Sequence, residues 1–192
     1  MVEAGAVTAG LDSRVAYTLL ILLVVAQRVA ELVRSSRNER WLWERGGVEA
    51  GAGHYRWMVL LHGAFLAACV AEVWLLGRVP GTSLSIVALV ALALATTLRY
   101  STIRTLGRRW TTRVICLPGA PVVTTGPFRF LKHPNYLAVI TEIIALPLIH
   151  GAWLTASVFT LLNAILLRAR VRVEEQALRE HNDYEQAFGN PA

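Results

Sequence analysis

Residues 137–167 read LAVITEIIALPLIHGAWLTASVFTLLNAILL. Two apolar runs, Leu137–Ile149 and Trp153–Leu167, are separated only by His150-Gly151-Ala152. Three residues allow a tight turn and nothing more, so the stretch reads as a helical hairpin. Each run is shorter than the roughly 20 residues that a membrane-spanning helix needs, and each reaches that length with its flanks. Upstream stand three more runs: Val15–Val33, Trp57–Leu76 and Leu84–Leu98. The predicted fold class is all-α: a polytopic integral membrane protein with about five transmembrane helices. No proline or strong breaker follows Trp153 until about Phe188. The last helix is therefore expected to run on past the bilayer and project into the cytoplasm.

Composition agrees. Of 192 residues, 55% are hydrophobic and 17% charged, against about 25% charged in an ordinary soluble chain. Such a chain would collapse, so disorder is excluded. Two cysteines, Cys69 in an apolar run and Cys116 in a basic loop, exclude a disulfide scaffold. Glu3 and Asp12 precede the first run, where a cleavable signal peptide would carry positive charge.

The net charge of +6 could point to nucleic acid, but the placement of the charge points to topology. Basic residues number five in 34–56, one in 78–83, seven in 99–136, none in 150–152 and four from Arg168 onward. That alternation is what the positive-inside rule asks for. It predicts an outside N-terminus, with the two basic loops and the C-terminus in the cytoplasm, facing anionic lipid. Nucleic acid is not expected as a partner. Gly46-Gly47 and Gly51-Ala52-Gly53 read as a flexible stretch of the first loop, bracketed by Trp41, Trp43, Tyr55 and Trp57 as interfacial aromatics.

Two polar segments flank the hairpin and must be neighbours in space. Thr124–Tyr136 precedes it and Arg168–Glu175 follows it. Gly126-Pro127 is a turn signal. Pro134 suits the first turn of a helix, which puts His133 near the N-cap beside free backbone N–H groups. Arg170 and Glu174 lie four apart on one helix face. From the residues alone, an interfacial turn and a solvated charged face explain these segments as well as a ligand site does.

The segment Gly126-Pro127-Phe128, the tetrapeptide His133-Pro134-Asn135-Tyr136, and Arg170…Glu174-Glu175 with Leu178 and Tyr184 resemble the isoprenylcysteine carboxyl methyltransferase family. The likeness covers about Arg99 to Phe188. It implies an integral-membrane methyltransferase that uses S-adenosylmethionine. It divides the chain into helices 1–98 and a catalytic region 99–192. The first half, through Ser36–Arg40 and His54–Val59, resembles a bacterial branch associated with O-methylation of long-chain polyketide lipids such as alkylpyrones and alkylresorcinols. Carried over by residue, the resemblance implies cofactor contacts from Ala120, Pro121, Val122, Val123, Phe128, His133, Pro134, Asn135, Tyr136 and Glu174. It implies a catalytic role for Glu174, and for Arg170 as the acceptor-binding residue. Arg113 stands where some relatives have glutamine. The implied acceptor is a lipophilic molecule with an acidic oxygen. Esterification of a prenylated cysteine is the alternative within the family, and a non-enzymatic lipid-binding or assembly protein is the alternative outside it. No Gly-rich turn after a strand is present, so a soluble-type cofactor fold is excluded.

Arg28, Glu31, His62, Glu72 and Glu142 fall within apolar runs, where ionisable groups need a partner or a cavity. Helix-to-helix pairing, for example Arg28 with Glu142, is one reading. A substrate pocket built from Arg28, His62 and Glu142 is the other. His54, His150 and His181 show no metal spacing, so no metal is expected.

Overall fold

The computed structural model describes residues 2–189, with the side chains of 2–11 and His54 outside that description, so the readings resting on Glu3 and His54 lie beyond it. From Asp12 to Arg45 the chain has neither glycine nor proline, and one helix uses all of it. Helix α1 (Val2–Trp43) carries the first apolar run and continues for ten residues beyond it, the first seven of them charged or polar. After it come β1 (Val48–Ala50), α2 (Ala52–Leu75), α3 (Thr82–Leu106), β2 (Val114–Cys116), α4 (Pro134–Leu148), α5 (Trp153–His181) and a short α6 (Tyr184–Phe188).

Among the described residues, four helical stretches are long and apolar enough to cross a bilayer: Asp12–Trp43, Tyr55–Leu75, Thr82–Arg109 and Trp153–His181. The fifth expected span, α4, is only 15 residues, about 22 Å at 1.5 Å per residue. A short turn of 3-10 helix, Gly126–Arg129, precedes it and packs against α3. Outward side chains such as Leu23, Leu94, Leu161 and Ile165 are about two-thirds exposed. That much outward apolar surface suits lipid, not water. The inward cluster joins Tyr17, Phe65, Cys69, Val73, Ile143 and Leu146. The protein is a polytopic, all-α membrane fold.

Glu72, deep in α2, turns its carboxylate to the start of α5. It accepts from Thr155 N (2.7 Å) and Leu154 N (3.2 Å) and pairs with Arg78 (2.9 Å). An acid at a helix N-terminus meets unpaired N–H groups and the positive end of the dipole, which accounts for one of the apolar-run charges.

Two expectations need correction. The glycine-flanked stretch after α1 is not a flexible link. Its centre is β1, paired antiparallel with β2, Val48 opposite Cys116 and Ala50 opposite Val114. Gly47 allows the approach: a Cβ there would lie 2.9 Å from Leu42 O and 3.0 Å from Ile115 Cγ2. Cys116, read as a loop residue, is thus a buried strand residue, and both cysteines are free. The final helix also stops earlier than expected. It ends at His181, because Asn182 leaves the helix to donate to Leu117 O (2.8 Å) and Ala120 O (2.7 Å).

Candidate functional site

The polar extension of α1 is the platform for the site. Ser35 and Asn38, both buried, hold the loop between α3 and β2. Asn38 Nδ2 donates to Trp110 O (2.7 Å), and Thr112 N donates to Ser35 Oγ (2.8 Å). On the far side, Gly126 opens the 3-10 turn that precedes α4. Its φ is +59°, and a Cβ there would meet Thr105 Oγ1 at 2.6 Å. His133 is the N-cap of α4 and Pro134 its first residue, as the tetrapeptide predicts.

The two polar segments meet. Tyr136 OH donates to the Glu174 carboxylate. Arg170 Nε donates to the Tyr136 oxygen at 3.0 Å, and Arg170 Nη2 donates to Thr112 O at 2.7 Å. Among the described residues, Arg170 Nη1 has one hydrogen-bond partner, Met58 Sδ at 3.7 Å, a weak acceptor. Glu175, one position on, serves a second cluster. Its Oε1 lies 3.0 Å from His133 Nε2 and accepts from Tyr184 OH at 3.1 Å, and Arg179 is 3.2 Å from its other oxygen. His133 stacks on Tyr136, ring centres 5.3 Å apart. Burial and the Glu175 charge push the Tyr184 hydroxyl up to about 12, so it remains a donor. Burial and then the Glu174 charge push the Cys116 thiol up to about 11. A protonated, buried thiol is a wall residue and no nucleophile.

Around this centre is a cleft open on one side. Ala120, Pro121, Val122, Val123, Phe128, His133, Pro134, Asn135, Tyr136, Arg170 and Glu174 all line it. The loop 117–123 reaches its position through backbone groups. Arg109 Nη1 donates to Pro121 O (2.6 Å), Val122 N donates to Asp183 Oδ1 (2.7 Å), and Gly119 N donates to His181 O (2.9 Å). Arg113 also lines the cleft but is paired with Glu49 (2.8 Å) and Glu39 (3.5 Å). Its bond to Glu49 holds its charge above the ordinary arginine value.

Arg28, His62 and Glu142 do not reach this cleft. They line a second, mostly apolar cavity between α1, α2, α3 and α4. The helix-to-helix pairing is present, with Arg28 Nη2 3.2 Å from Glu142 Oε1, and both side chains also line the cavity. His62 Nδ1 lies 2.8 Å from Met58 O. A carbonyl can only accept, so Nδ1 carries the proton and Nε2 keeps its lone pair. Sequence reasoning missed Arg99, Thr112, Asn182 and Asp183. Arg99 was counted with the loop charge, yet it is 5% exposed in α3 and bonds both oxygens of Glu142. Among the described residues, no three His, Cys, Asp or Glu side chains converge as a metal site requires.

Residues 86–180 match the isoprenylcysteine carboxyl methyltransferase family. An uncharacterized protein of Bacillus subtilis (strain 168), YpbQ, is 36% identical over 166 residues, which is 86% of this chain and 98% of the relative. The chain belongs to the isoprenylcysteine carboxyl methyltransferase family. A second uncharacterized protein, from Haemophilus influenzae, is 29% identical over 156 residues, 81% of this chain and 90% of the relative. No solved structure matches the chain. The family match ends at residue 180 and so takes in Tyr136, Arg170, Glu174 and Glu175. It leaves out Asn182, Asp183 and Tyr184, which close the cleft beyond it.

Proposed function

We propose that this family member is an integral-membrane, S-adenosylmethionine-dependent O-methyltransferase. Its acceptor would carry an acidic oxygen on a long apolar tail, a long-chain polyketide lipid of the alkylpyrone or alkylresorcinol type. The observation that carries the reading is the convergence of all eleven motif residues on one cleft, with Tyr136, Arg170 and Glu174 bonded together at its centre. The cofactor's donors and aromatic base fit what the cleft offers. Asn135 Oδ1 and Asn182 Oδ1 are buried acceptors with no partner among the described residues, both on residues that line it. A buried acceptor left unpaired is costly and awaits a donor. Glu174 adds a carboxylate, and Phe128 and Tyr136 add aromatic faces suited to a base or a cation.

When bound, S-adenosylmethionine supplies an electrophilic methyl group. This chain's residues must then align an oxygen with it and exclude water, which is where most of the rate of an in-line displacement arises. Arg170 is held by two strong bonds, to Tyr136 and Thr112, and keeps Nη1 against a displaceable thioether. That nitrogen is the donor we assign to the acceptor oxygen. The second cavity would take the tail. Met58, which touches Arg170, and His62, which lines the cavity, lie one helical turn apart on α2, about 6 Å of rise. An ionised carboxylate or enol needs no base there. A phenol would find the His62 Nε2 lone pair. The preference for polyketide lipids rests on the resemblance of the first half to that bacterial branch. The distribution of arginines supports a bacterial cell membrane location with the N-terminus outside and the cleft in the cytoplasm.

Calorimetric titration of S-adenosylhomocysteine into the detergent-solubilised protein tests the cofactor reading. Wild type should bind. Glu174→Gln should weaken binding by roughly 10-fold or more, since a hydrogen bond to a charged group is worth about 1.5–3 kcal/mol. Glu175→Gln should cost less, because glutamine still offers an acceptor to Tyr184 OH. No binding by wild type, or equal affinity for Glu174→Gln, rules the assignment out.

A further inference from the structure

Beyond the last turn of α5, both amide protons of Asn182 are spent, on Leu117 O at 2.8 Å and Ala120 O at 2.7 Å. A flipped amide would set its oxygen against those two carbonyl oxygens. The chemistry therefore fixes which atom is Oδ1. That oxygen is buried and has no partner among the described residues. Asn182 lines the cleft together with Ala120, Val122 and Phe188. Along α5 it stands eight residues past Glu174, about 12 Å at 1.5 Å per residue.

The cleft is thus polarised. One end holds the Arg170, Tyr136 and Glu174 cluster. The other holds Ala120, Val122 and Phe188 and the neutral Asn182 oxygen, fixed in direction by the carbonyls that hold its amide nitrogen. A flat, apolar ring with one donor at its edge matches the second end. An ammonium group matches the first, where a carboxylate waits.

We propose that Asn182 Oδ1 accepts a hydrogen bond from the exocyclic amine of the cofactor's adenine, so that Asn182 is the residue that selects an aminopurine. This rests on the S-adenosylmethionine reading given above. A site built around a buried acceptor rejects a ligand that lacks the donor, because the acceptor then stays unpaired. A 6-oxopurine is rejected more strongly, since it sets oxygen against oxygen.

The test is calorimetric binding to the full-length protein in detergent, using S-adenosylhomocysteine and its 6-oxo counterpart, S-inosylhomocysteine. Wild type should prefer the adenosyl compound by at least about 10-fold. Asn182→Ala should bring the preference within about twofold. Asn182→Gln keeps an amide but moves the oxygen by one methylene, and should also lose the preference. It decides the matter if the alanine variant fails to fold once its grip on Leu117 and Ala120 is gone. Equal binding of the two compounds by wild type, or an undiminished preference in a folded Asn182 variant, overturns the assignment alone. Failure of wild type to bind S-adenosylhomocysteine overturns this assignment together with the methyltransferase reading beneath it.

Discussion

Arg170→Ala should lose methyl-transfer activity on a long-chain hydroxypyrone by about 10–100-fold or more, at roughly 1.4 kcal/mol per tenfold. The side chain has three nitrogens with three different partners. Nε and Nη2 are held by Tyr136 and Thr112, and among the described residues Nη1 bonds only Met58 Sδ. Alanine removes the donor assigned to the acceptor oxygen and also frees the Tyr136 hydroxyl on one side. Lysine restores charge but has no fork, so it cannot hold Tyr136 and Thr112 while also reaching a ligand. Arg170→Lys should recover only part of the loss. Affinity for S-adenosylhomocysteine should change much less than activity, since the free Arg170 nitrogen is assigned to the methyl acceptor and not to the cofactor. Arg168 and Arg172 are exposed, and their alanine variants should behave nearly as wild type. Full activity in Arg170→Ala contradicts the role, and so does a loss of cofactor affinity as severe as the loss of turnover.

The hairpin, the capped start of α4 and the pairing of its flanks were legible because they depend on local signals. Apolar run length, Pro134 and the four-residue spacing of Arg170 and Glu174 all act over a turn or two of helix. The short sheet was not legible. Three residues give too little alternation to show a period of two, and the partner strand lies more than sixty residues away. The end of α5 was missed for a related reason. Asn182 is no strong helix breaker by propensity, and it stops the helix only because two distant carbonyls, those of Leu117 and Ala120, offer better partners. Asn38 and Glu39 drew notice only through resemblance. Their physical task, holding the 107–113 loop at the edge of the cleft, depends on how α1 packs against that loop. Arg99 shows the limit of counting charges. A basic residue at the edge of an apolar run can be topological or buried, and only the carboxylates on neighbouring helices decide which.

Those carboxylates make the second large effect. Arg28, Glu31, Arg99 and Glu142 form a balanced set of two cations and two anions, Glu31 and Arg99 buried and the other two partly so. Arg28 pairs with Glu31 (2.8 Å) and Glu142 (3.2 Å); Arg99 bonds both oxygens of Glu142 and lies 3.6 Å from Glu31. Glu142→Ala leaves two guanidiniums sharing one carboxylate. Arg99 is then the worse placed, because its remaining partner is the more distant one. An uncompensated buried charge costs about 3–5 kcal/mol, and within the bilayer water cannot readily repay it. Glu142→Ala and Arg99→Ala should each lower stability by that amount, read as thermal unfolding in detergent. The double variant removes one charge of each sign and leaves Arg28 with Glu31 at 2.8 Å. It should therefore be markedly more stable than the sum of the single losses predicts. The network ties α1, α3 and α4 together just below His133–Tyr136, so the single variants should also weaken S-adenosylhomocysteine binding through misplacement of α4, and the double variant should recover part of it. Additive losses in the double variant would mean that the four side chains do not act as one charge-balanced unit.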